Sequence, residues 1–134
     1  VYGEPRYLPV DENHPLNPHS PYAAAKAGAD RLVYSYFVTY KIPAIILRPF
    51  NIYGPRQHLE KAIPRFITSA ILNEPITVHG DGKSERDYMH VSDVSTAIDL
   101  LIQAPIKKVQ GEVFNIGSGQ EISIIDIAKQ ERNF

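Results

Sequence analysis

The sequence has no cysteine, and this absence removes several classes of chemistry at once. Disulfide scaffolds, cysteine nucleophiles and thiolate metal sites are all excluded. Lysine and arginine together number 14, aspartate and glutamate 15, and the formal net charge is -1. A chain with so balanced a charge offers no polybasic surface, so neither nucleic acid nor an anionic membrane is an expected partner.

Long hydrophobic runs are also lacking. No apolar stretch approaches the roughly 20 residues that a helix needs to cross a bilayer. No secretory signal is visible, so the expected location is the cytoplasm. What is present is a composition of 43% hydrophobic and 22% charged residues in 134 positions. That composition is typical of one globular domain with a substantial core.

Methionine is nearly absent, since Met89 is the only one and the chain opens on Val1. A natural translation product normally begins with methionine. The sequence also stops shortly after residues 125–130, whose pattern is that of a helix barely begun. Both features predict a piece of a longer protein, with a processed mature chain as the alternative.

Predicted helices and strands alternate along the chain. Five prolines up to Pro21 predict a loop there, because each proline fixes φ and removes a backbone donor. Alanines and helically spaced apolar residues then predict a helix over 22–40. Further helices are predicted to begin near Pro64, at Ser92 as N-cap, and after a capping pair formed by Ser123 and Asp126.

Four short segments are predicted to be strands, and the first of them is wholly apolar, as expected of a strand buried on both faces. The predicted strands are 44–47, 76–79, 88–91 and 113–116, with a loop at 51–60 and a turn at 80–83. Strands that alternate with helices predict an α/β fold.

Tyr22 and Lys26 form the most informative pair of polar residues. Positions four apart lie on one face of a helix, and three alanines separate these two. A neighbouring ammonium favours the charged form of a phenol, so such a pair could take a proton from a substrate hydroxyl. The spacing alone is common, and a surface tyrosine and lysine that happen to be one turn apart remain the alternative.

Six motifs occur in order over nearly the whole chain. They are Val1-Tyr2-Gly3, Pro18-His19-Ser20-Pro21-Tyr22-Ala23-Ala24-Ala25-Lys26, Leu47-Arg48-Pro49-Phe50-Asn51-Ile52-Tyr53-Gly54-Pro55-Arg56, Gly80-Asp81-Gly82, Arg86-Asp87-Tyr88 with Val91 and Asp93, and Phe114-Asn115-Ile116-Gly117. Together they resemble the extended short-chain dehydrogenases, in particular the NAD-dependent nucleotide-sugar epimerases and dehydratases. Each motif is weak alone, whereas the ordered set is specific.

The resemblance implies catalytic and cofactor-binding roles for three residues. Tyr22 would be the base that accepts the proton of the sugar 4-hydroxyl as hydride passes to NAD. Lys26 would bind the nicotinamide ribose and favour the phenolate of Tyr22. Pro49 would lie beside the nicotinamide.

The resemblance also implies a nucleotide-sugar site. Asn51 would bind the phosphate or the sugar, and Arg86 would bind the diphosphate through paired guanidinium donors. Without the family context, an ion pair of Arg86 with Asp87 or Glu85 would be the preferred interpretation. The residues expected to frame the nucleotide base are Lys61, Ala62 and the segment from Thr77 to His79.

One hallmark of the family is missing from this sequence. The glycine-rich loop that binds the dinucleotide is absent, and Gly117-Ser118-Gly119 lacks the third glycine and is interpreted as a turn after a strand. The resemblance therefore implies the C-terminal part of a Rossmann-type doubly wound parallel sheet with a small α/β substrate-binding region. Residues 1–52 would end the NAD-binding domain and 53–134 would mainly bind substrate, with 84–104 the stretch that could pack back on the Rossmann domain.

Three functions stay open on the sequence. The first, which is the preferred prediction, is a fragment of a nucleotide-sugar 4-epimerase of the UDP-glucose type, which oxidises C4 to a 4-keto intermediate. The second is a 4,6-dehydratase of the dTDP-glucose type, and the third is an inactive folded fragment that only binds a ligand or partner. The residues that separate the first two in the family lie just before Val1. The resemblance also implies a homodimer.

Other polar groups carry weaker signals. The five histidines show no helical metal-binding spacing, so no metal site is expected and surface or packing roles are preferred. The adjacent carboxylates of Asp11 and Glu12 point apart in an extended chain, and a solvated loop explains them better than an acid/base pair.

Overall fold

The structure is a computed structural model that describes residues 1–131, and it contains five helices and five strands in that range. In chain order these are α1 (Pro21–Tyr40), β1 (Ile46–Pro49), β2 (Asn51–Tyr53), α2 (Ala62–Ile71), β3 (Glu85–His90), α3 (Val91–Gln103), α4 (Ile106–Val109), β4 (Val113–Ile116), β5 (Glu121–Ser123) and α5 (Ile124–Glu131). The predicted α/β class is confirmed. None of the helices in the described range is long and apolar enough to cross a membrane.

Helix α1 follows the sequence prediction closely. The Ser20 side chain accepts a hydrogen bond from the backbone N–H of Ala23 and so caps the first turn. Pro21, the first helical residue, has no N–H to leave unpaired. At the other end Lys41 adopts a left-handed conformation and donates its N–H to the carbonyl of Phe37. Only Ala27 and Asp30 are buried on this helix.

The strands form two small sheets. In one, β2 and β3 run parallel, with Asn51 opposite Tyr88, and β5 pairs antiparallel with the other edge of β3. In the other, β1 pairs with β4. Backbone hydrogen bonds from Ile46 to Glu112 and from Phe50 to Ile116 advance together, so these strands are parallel as well.

The chain divides into two compact units. The first comprises Val1–Arg48 with Asp99–Asn115, and the second comprises Pro49–Ile98 with the segment from Ile116 onward. In the first unit, Tyr2, Ala27, Ile46 and Val109 are buried. The core of the second unit is Phe66 of α2 with Ile127 and Ala128 of α5.

Several predicted boundaries need correction. The segment 76–79 is not a strand, although Ile76 and Val78 pack against the Phe66 cluster while Thr77 and His79 are exposed. Its side chains alternate as in a strand, but the backbone does not enter a sheet. Residues 51–53, predicted to be loop, form strand β2 instead because β3 offers a parallel edge.

Helix starts and strand positions also shift by a few residues. The first strand is Ile46–Pro49 rather than 44–47, and β3 ends at His90 rather than at Val91. Helix α3 begins at Val91, so Ser92 lies inside it, and its N–H donates to Nδ1 of His90. The predicted capping pair is confirmed, since Oγ of Ser123 accepts from the N–H of Asp126 and donates to its carboxylate.

Candidate functional site

The phenol of Tyr22 and the ammonium of Lys26 lie on one exposed face at the start of α1. Nζ of Lys26 stands 5.8 Å from the centroid of the Tyr22 ring. The Tyr22 side chain is 74% exposed, so a ligand can reach its hydroxyl. Within residues 1–131 Lys26 forms no ion pair. The structure therefore places an exposed phenol, and an ammonium that forms no ion pair in the described range, on one face of α1.

Beneath this face, a buried ion pair joins α1 to β1. Asp30 is one turn beyond Lys26, and its two carboxylate oxygens accept from Nε of Arg48 at 2.7 Å and from Nη2 at 3.1 Å. Both residues are only 8% exposed. Such a paired, fork-shaped contact is the geometry in which an arginine can be buried with a carboxylate.

The other donors of Arg48 continue the network into the N-terminal loop. Nη1 donates to the hydroxyl of Tyr2 at 2.7 Å and to the carbonyl of Glu12 at 3.2 Å. The hydroxyl of Tyr2 in turn donates to Oδ1 of Asn115 on β4. Asn115 completes the link by donating its side-chain amide to the carbonyl of Val10. One arginine thus connects α1, β1, β4 and the N-terminal loop.

Gly3 allows the N-terminal loop to reach this network. Its φ is +72°, and a Cβ at this position would stand 1.8 Å from the carbonyl oxygen of Asn17. Only glycine fits so close an approach in that conformation. The Tyr-Gly order of the first motif therefore has a steric reason, because the residue after the buried Tyr2 must be a glycine.

The ion pair shifts the ionisation of both its members. Burial opposes the charged form of Asp30, but hydrogen bonds from Arg48 and Arg31 outweigh it and hold the pKa of the carboxyl below its ordinary value. Burial likewise opposes the charge on Arg48, and the hydrogen bonds to Asp30 and Tyr2 raise its pKa above the ordinary value. Both groups are therefore charged at neutral pH.

We expect the ionisation of Asp30 to make the free energy of unfolding depend on pH in the acidic range. Its pKa is lower folded than unfolded, so its stabilisation is complete above the unfolded pKa of about 4 and is lost as pH falls through the folded value. Urea unfolding of Asp30→Asn should therefore show a smaller loss of stability between neutral and acidic pH than unfolding of the parent chain. An unchanged acid dependence would contradict the assignment.

In the second unit, the predicted substrate residues Asn51 and Arg86 lie on the neighbouring strands β2 and β3. Nδ2 of Asn51 donates to the carbonyl of Asp87 at 3.1 Å. Arg86 is exposed and donates Nη1 to the carbonyl of Glu85. Within residues 1–131 its guanidinium makes no ion pair, so neither Asp87 nor Glu85 neutralises it. Its charge remains available to an anion.

The positive charge of Arg86 affects the ionisation of Tyr88, the residue opposite Asn51 in the strand register. Burial raises the pKa of the Tyr88 phenol, and the guanidinium of Arg86 opposes that rise. Arg86 and Tyr88 are two residues apart on β3 and share a face.

Asp87 has a structural task that the sequence did not reveal. Its Oδ1 accepts from the N–H and Oγ of Ser118, and its Oδ2 accepts from the N–H of Gly119. A Cβ on Gly117 would stand 2.6 Å from Oδ2 of Asp87, so a larger residue here would displace the carboxylate that holds the turn. The prediction that Gly117-Ser118-Gly119 forms a turn after a strand is confirmed, with Asp87 holding the turn.

The other predicted ligand-binding residues lie at exposed or partly buried positions of the second unit. Lys61 is the exposed N-cap residue of α2, where it makes no side-chain cap, and Ala62 is the first helical residue, packed against the Phe66 cluster. Thr77 and His79 are exposed, and Pro49 is the exposed last residue of β1. The contacts given by the structure do not bring these five residues together.

Sequence reasoning missed Asp30, Arg48 and Tyr2 as a linked group. A charged residue four positions after Lys26, on the helix stripe that carries Tyr22, was the available signal for Asp30. An arginine within an apolar strand was the signal for Arg48, because a guanidinium there needs a buried partner. Pairing them required contacts between residues up to 46 apart.

The structure gives one of the histidines, His14, a packing role. His14 is buried, accepts from the N–H of Arg6 and contacts the rings of Tyr2 and Tyr7, so it packs and does not need a ligand. Residues 1–131 contain no group of histidine, aspartate and glutamate side chains that could hold a metal ion.

Comparison with known proteins identifies the relatives of this chain. It is 46% identical over 120 residues to a dTDP-D-glucose 4,6-dehydratase of Dictyostelium discoideum, covering 90% of this chain and 27% of that protein. It is 38% identical over 130 residues to the human dTDP-D-glucose 4,6-dehydratase, covering 97% of this chain and 36% of that protein. The chain thus spans well under half the length of these curated relatives.

Solved structures of a dehydratase and of an epimerase are also similar to this chain. The dTDP-glucose 4,6-dehydratase of Bacillus anthracis, in complex with NAD, superposes with a TM-score of 0.92 at 38% identity, over 99% of this chain and 42% of that one. The UDP-glucuronic acid 4-epimerase of Bacillus cereus, with UDP-glucuronic acid and NAD, gives 0.92 at 34% identity over the same shares. The predicted Rossmann-type architecture and NAD as the family's cofactor are confirmed.

Residues 1–117 match the sequence profile of the NAD dependent epimerase/dehydratase family. This range holds every predicted site residue and all six motifs. The predicted resemblance is therefore confirmed: the chain belongs to the NAD-dependent epimerase/dehydratase family.

Proposed function

We propose that this chain supplies the catalytic base and the nucleotide-sugar contacts of a 4,6-dehydratase that acts on a nucleotide-linked glucose. The observation that carries the proposal is the exposed Tyr22 phenol with the Lys26 ammonium 5.8 Å from its ring, where the ammonium forms no ion pair within residues 1–131. The proposed reaction begins with oxidation at C4, a step that epimerases share. Because the chain spans well under half of its relatives, the reaction is proposed for the whole protein.

The residues present on α1 fit an NAD cofactor. Tyr22 and Lys26 share one exposed face, and the Lys26 ammonium, which forms no ion pair in the part of the chain that the structure describes, can donate to ribose hydroxyls. When bound, NAD supplies the acceptor for the hydride that leaves C4. In this proposal, Tyr22 takes the proton of the 4-hydroxyl, Lys26 binds the ribose and stabilises the phenolate, and Pro49 borders the nicotinamide.

The second unit would hold the nucleotide sugar. Arg86 would bind the diphosphate, because its exposed guanidinium forms no ion pair within residues 1–131. Asn51 would bind the phosphate or the sugar with the amide atoms that Asp87 leaves free. The base would be framed by Lys61, Ala62, Thr77 and His79.

Dehydration is the reaction proposed first, and epimerisation is the second candidate. The sequence alone favoured a 4-epimerase, and the confirmed family includes both reactions. Dehydratases account for identities of 46% and 38% among the curated relatives, which favours dehydration. The TM-score of 0.92 to a UDP-glucuronic acid 4-epimerase equals the score to the Bacillus anthracis dehydratase, so the epimerase is kept as the second candidate. A chain that binds but does not turn over is the third outcome of the test below.

Two chimaeras can test the proposal. In each, this chain replaces the segment it covers, in the Bacillus anthracis dehydratase or in the Bacillus cereus epimerase. Dehydration removes one water and changes the product's mass, whereas epimerisation conserves mass and changes chromatographic retention. We expect turnover in the dehydratase host. Turnover only in the epimerase host would favour the second candidate, and binding without turnover in both would favour the inactive fragment.

Arg86→Ala in the active chimaera should act mainly on substrate binding. It removes a charge-assisted contact that would exist throughout the reaction, so KM should rise about 10- to 100-fold and kcat should change little. Steady-state kinetics over a range of substrate concentrations measures both. A fall in kcat at unchanged KM would assign Arg86 to the chemical step instead. Arg65→Ala, an exposed arginine on α2, is the control.

We also propose that the chain forms a homodimer through α1. Within residues 32–40 of that helix, six large apolar side chains are at least two fifths exposed, namely Leu32 at 58%, Val33 at 40%, Tyr34 at 40%, Tyr36 at 48%, Val38 at 45% and Tyr40 at 66%. So much apolar surface on one helix is typical of an interface. Light scattering at several concentrations should show self-association, and a monomer of 15.0 kDa throughout would exclude it.

The same proposal assigns a binding role to each part of the chain. Residues 1–52 would complete the NAD-binding domain and 53–134 would mainly bind the sugar nucleotide. The cytoplasmic location stays a prediction from the sequence.

A further inference from the structure

Tyr22, Lys26 and Asp30 occupy successive turns of α1. Lys26 therefore has the phenol of Tyr22 one turn before it and the carboxylate of Asp30 one turn after it. Residues four apart on a helix have Cβ atoms only about 5–6 Å apart, close enough for a lysine and an aspartate to pair. Lys26 could therefore turn its ammonium toward the Asp30 carboxylate or toward the Tyr22 ring. In the structure it is directed at the ring, with Nζ 5.8 Å from the centroid.

The carboxylate of Asp30 is already saturated by two arginines. Its Oδ2 accepts from Nε of Arg48 at 2.7 Å. Its Oδ1 accepts from Nε of Arg31 at 2.7 Å and from Nη2 of Arg48 at 3.1 Å. Arg48 therefore donates to both oxygens, whereas Arg31 donates only to Oδ1. Arg31 is half exposed, whereas Arg48 is buried.

Arg48 is itself held by further contacts on the side away from Asp30. Its remaining nitrogen donates to the Tyr2 hydroxyl and to the carbonyl of Glu12, and its guanidinium carbon lies 5.1 Å from the centroid of the Tyr2 ring. A planar guanidinium held on three sides stays on the carboxylate. A lysine at this position would provide a single ammonium and could not occupy both oxygens in the same way.

We propose that Arg48 is a positioning residue that claims the Asp30 carboxylate and thereby keeps the Lys26 ammonium on Tyr22. Without Arg48, a buried carboxylate with a freed oxygen would lie one turn from Lys26. Arg31 would still contact Oδ1, but the buried Oδ2 would lose its charged donor. Leaving a buried charged acceptor without its donor is costly, so Oδ2 would draw the nearest mobile cation. The inference rests on the proposed function only in the importance it gives to Lys26, because the position of the ammonium can be measured without any reaction.

The test compares two variants that break the same ion pair in opposite ways. Arg48→Gln leaves the carboxylate in place and should send Lys26 to it. Asp30→Asn removes the competing charge and should leave Lys26 on Tyr22. The readout is the ring-current shift that Tyr22 causes in the side-chain methylene protons of Lys26, measured by NMR on the 134-residue chain, with Tyr22→Ala as the zero reference.

We expect most of the ring-current shift to be lost in Arg48→Gln, retained in Asp30→Asn, and recovered in the double variant. Arg31→Gln, which leaves the buried donor intact, is the matched control and should retain the shift. If Arg48 only stabilises the fold, the two single variants will behave alike, and that result overturns the proposal. A shift retained in Arg48→Gln overturns it as well.

A milder variant covers the case in which Arg48→Gln does not fold, as judged by circular dichroism. Arg48→Lys keeps the charge and loses the fork, so it should lose part of the shift, and an unchanged shift would overturn the proposal. The proposed reaction is tested separately by the chimaeras. Turnover there with no dependence of Lys26 on Arg48 would reject only the present inference, and the reverse result would reject only the reaction.

Discussion

Tyr22→Phe should reduce turnover of an active chimaera about 100- to 10,000-fold, the usual contribution of a general base. Phenylalanine keeps the ring and loses only the hydroxyl, which is exposed and makes no hydrogen bond within residues 1–131. Binding of the nucleotide sugar should therefore remain near that of the parent. Single-turnover kinetics of the C4 oxidation and calorimetric titration of the substrate measure the two effects separately.

Tyr36→Phe is the matched control for that experiment. Tyr36 lies on the same helix, is 48% exposed and has no role in the proposed chemistry, and phenylalanine keeps the ring that Tyr36 would contribute to the proposed dimer surface. Its replacement should leave the rate within about twofold of the parent, since surface substitutions of this kind have small effects. Near-normal turnover in Tyr22→Phe would show that another group accepts the proton.

Arg48→Met should lower the free energy of unfolding by about 3 kcal/mol, the largest stability effect expected in the chain. The substitution leaves the buried carboxylate of Asp30 without the donor to Oδ2 and frees the hydroxyl of Tyr2. Because stability in a domain of this size is only about 5–15 kcal/mol, the variant should unfold at clearly lower urea concentration.

Arg31→Met provides the comparison on the same carboxylate. Arg31 also contacts Asp30, but its side chain is 48% exposed, and exposed ion pairs contribute about 0–1 kcal/mol. A small loss in Arg31→Met beside a large one in Arg48→Met would show that burial decides the effect. Equal losses would mean that the Arg48 pair is as solvated as a surface pair.

Local patterns predicted the elements whose signals lie within a few residues. Helix α1 has its cap at Ser20, its alanines and its stripe in consecutive sequence, so its bounds follow to within a residue. Strand β4 and the Ser123–Asp126 cap are local in the same sense. The family motifs added the Tyr22 and Lys26 pair, whose shared face follows from helix geometry alone.

Partners distant in sequence account for what the patterns missed. Residues 51–53 become a strand because β3, more than 30 positions later, offers them a parallel edge. The segment 76–79 has the alternation of a strand and lacks a neighbour to pair with. The ion pair of Asp30 with Arg48 is of the same kind, since each residue alone predicts a need for a partner without identifying it.

Asp87 has a consequence for anion recognition in the second unit. The backbone N–H groups of Ser118 and Gly119, which in another protein could cradle a phosphate, already donate to this carboxylate. Asp87 is tethered by its own strand, so its effective concentration at the turn is on the order of millimolar or higher. Free phosphate would have to displace the Asp87 carboxylate from these N–H groups. We therefore expect this turn not to bind phosphate, although its glycines resemble those of a phosphate-binding loop.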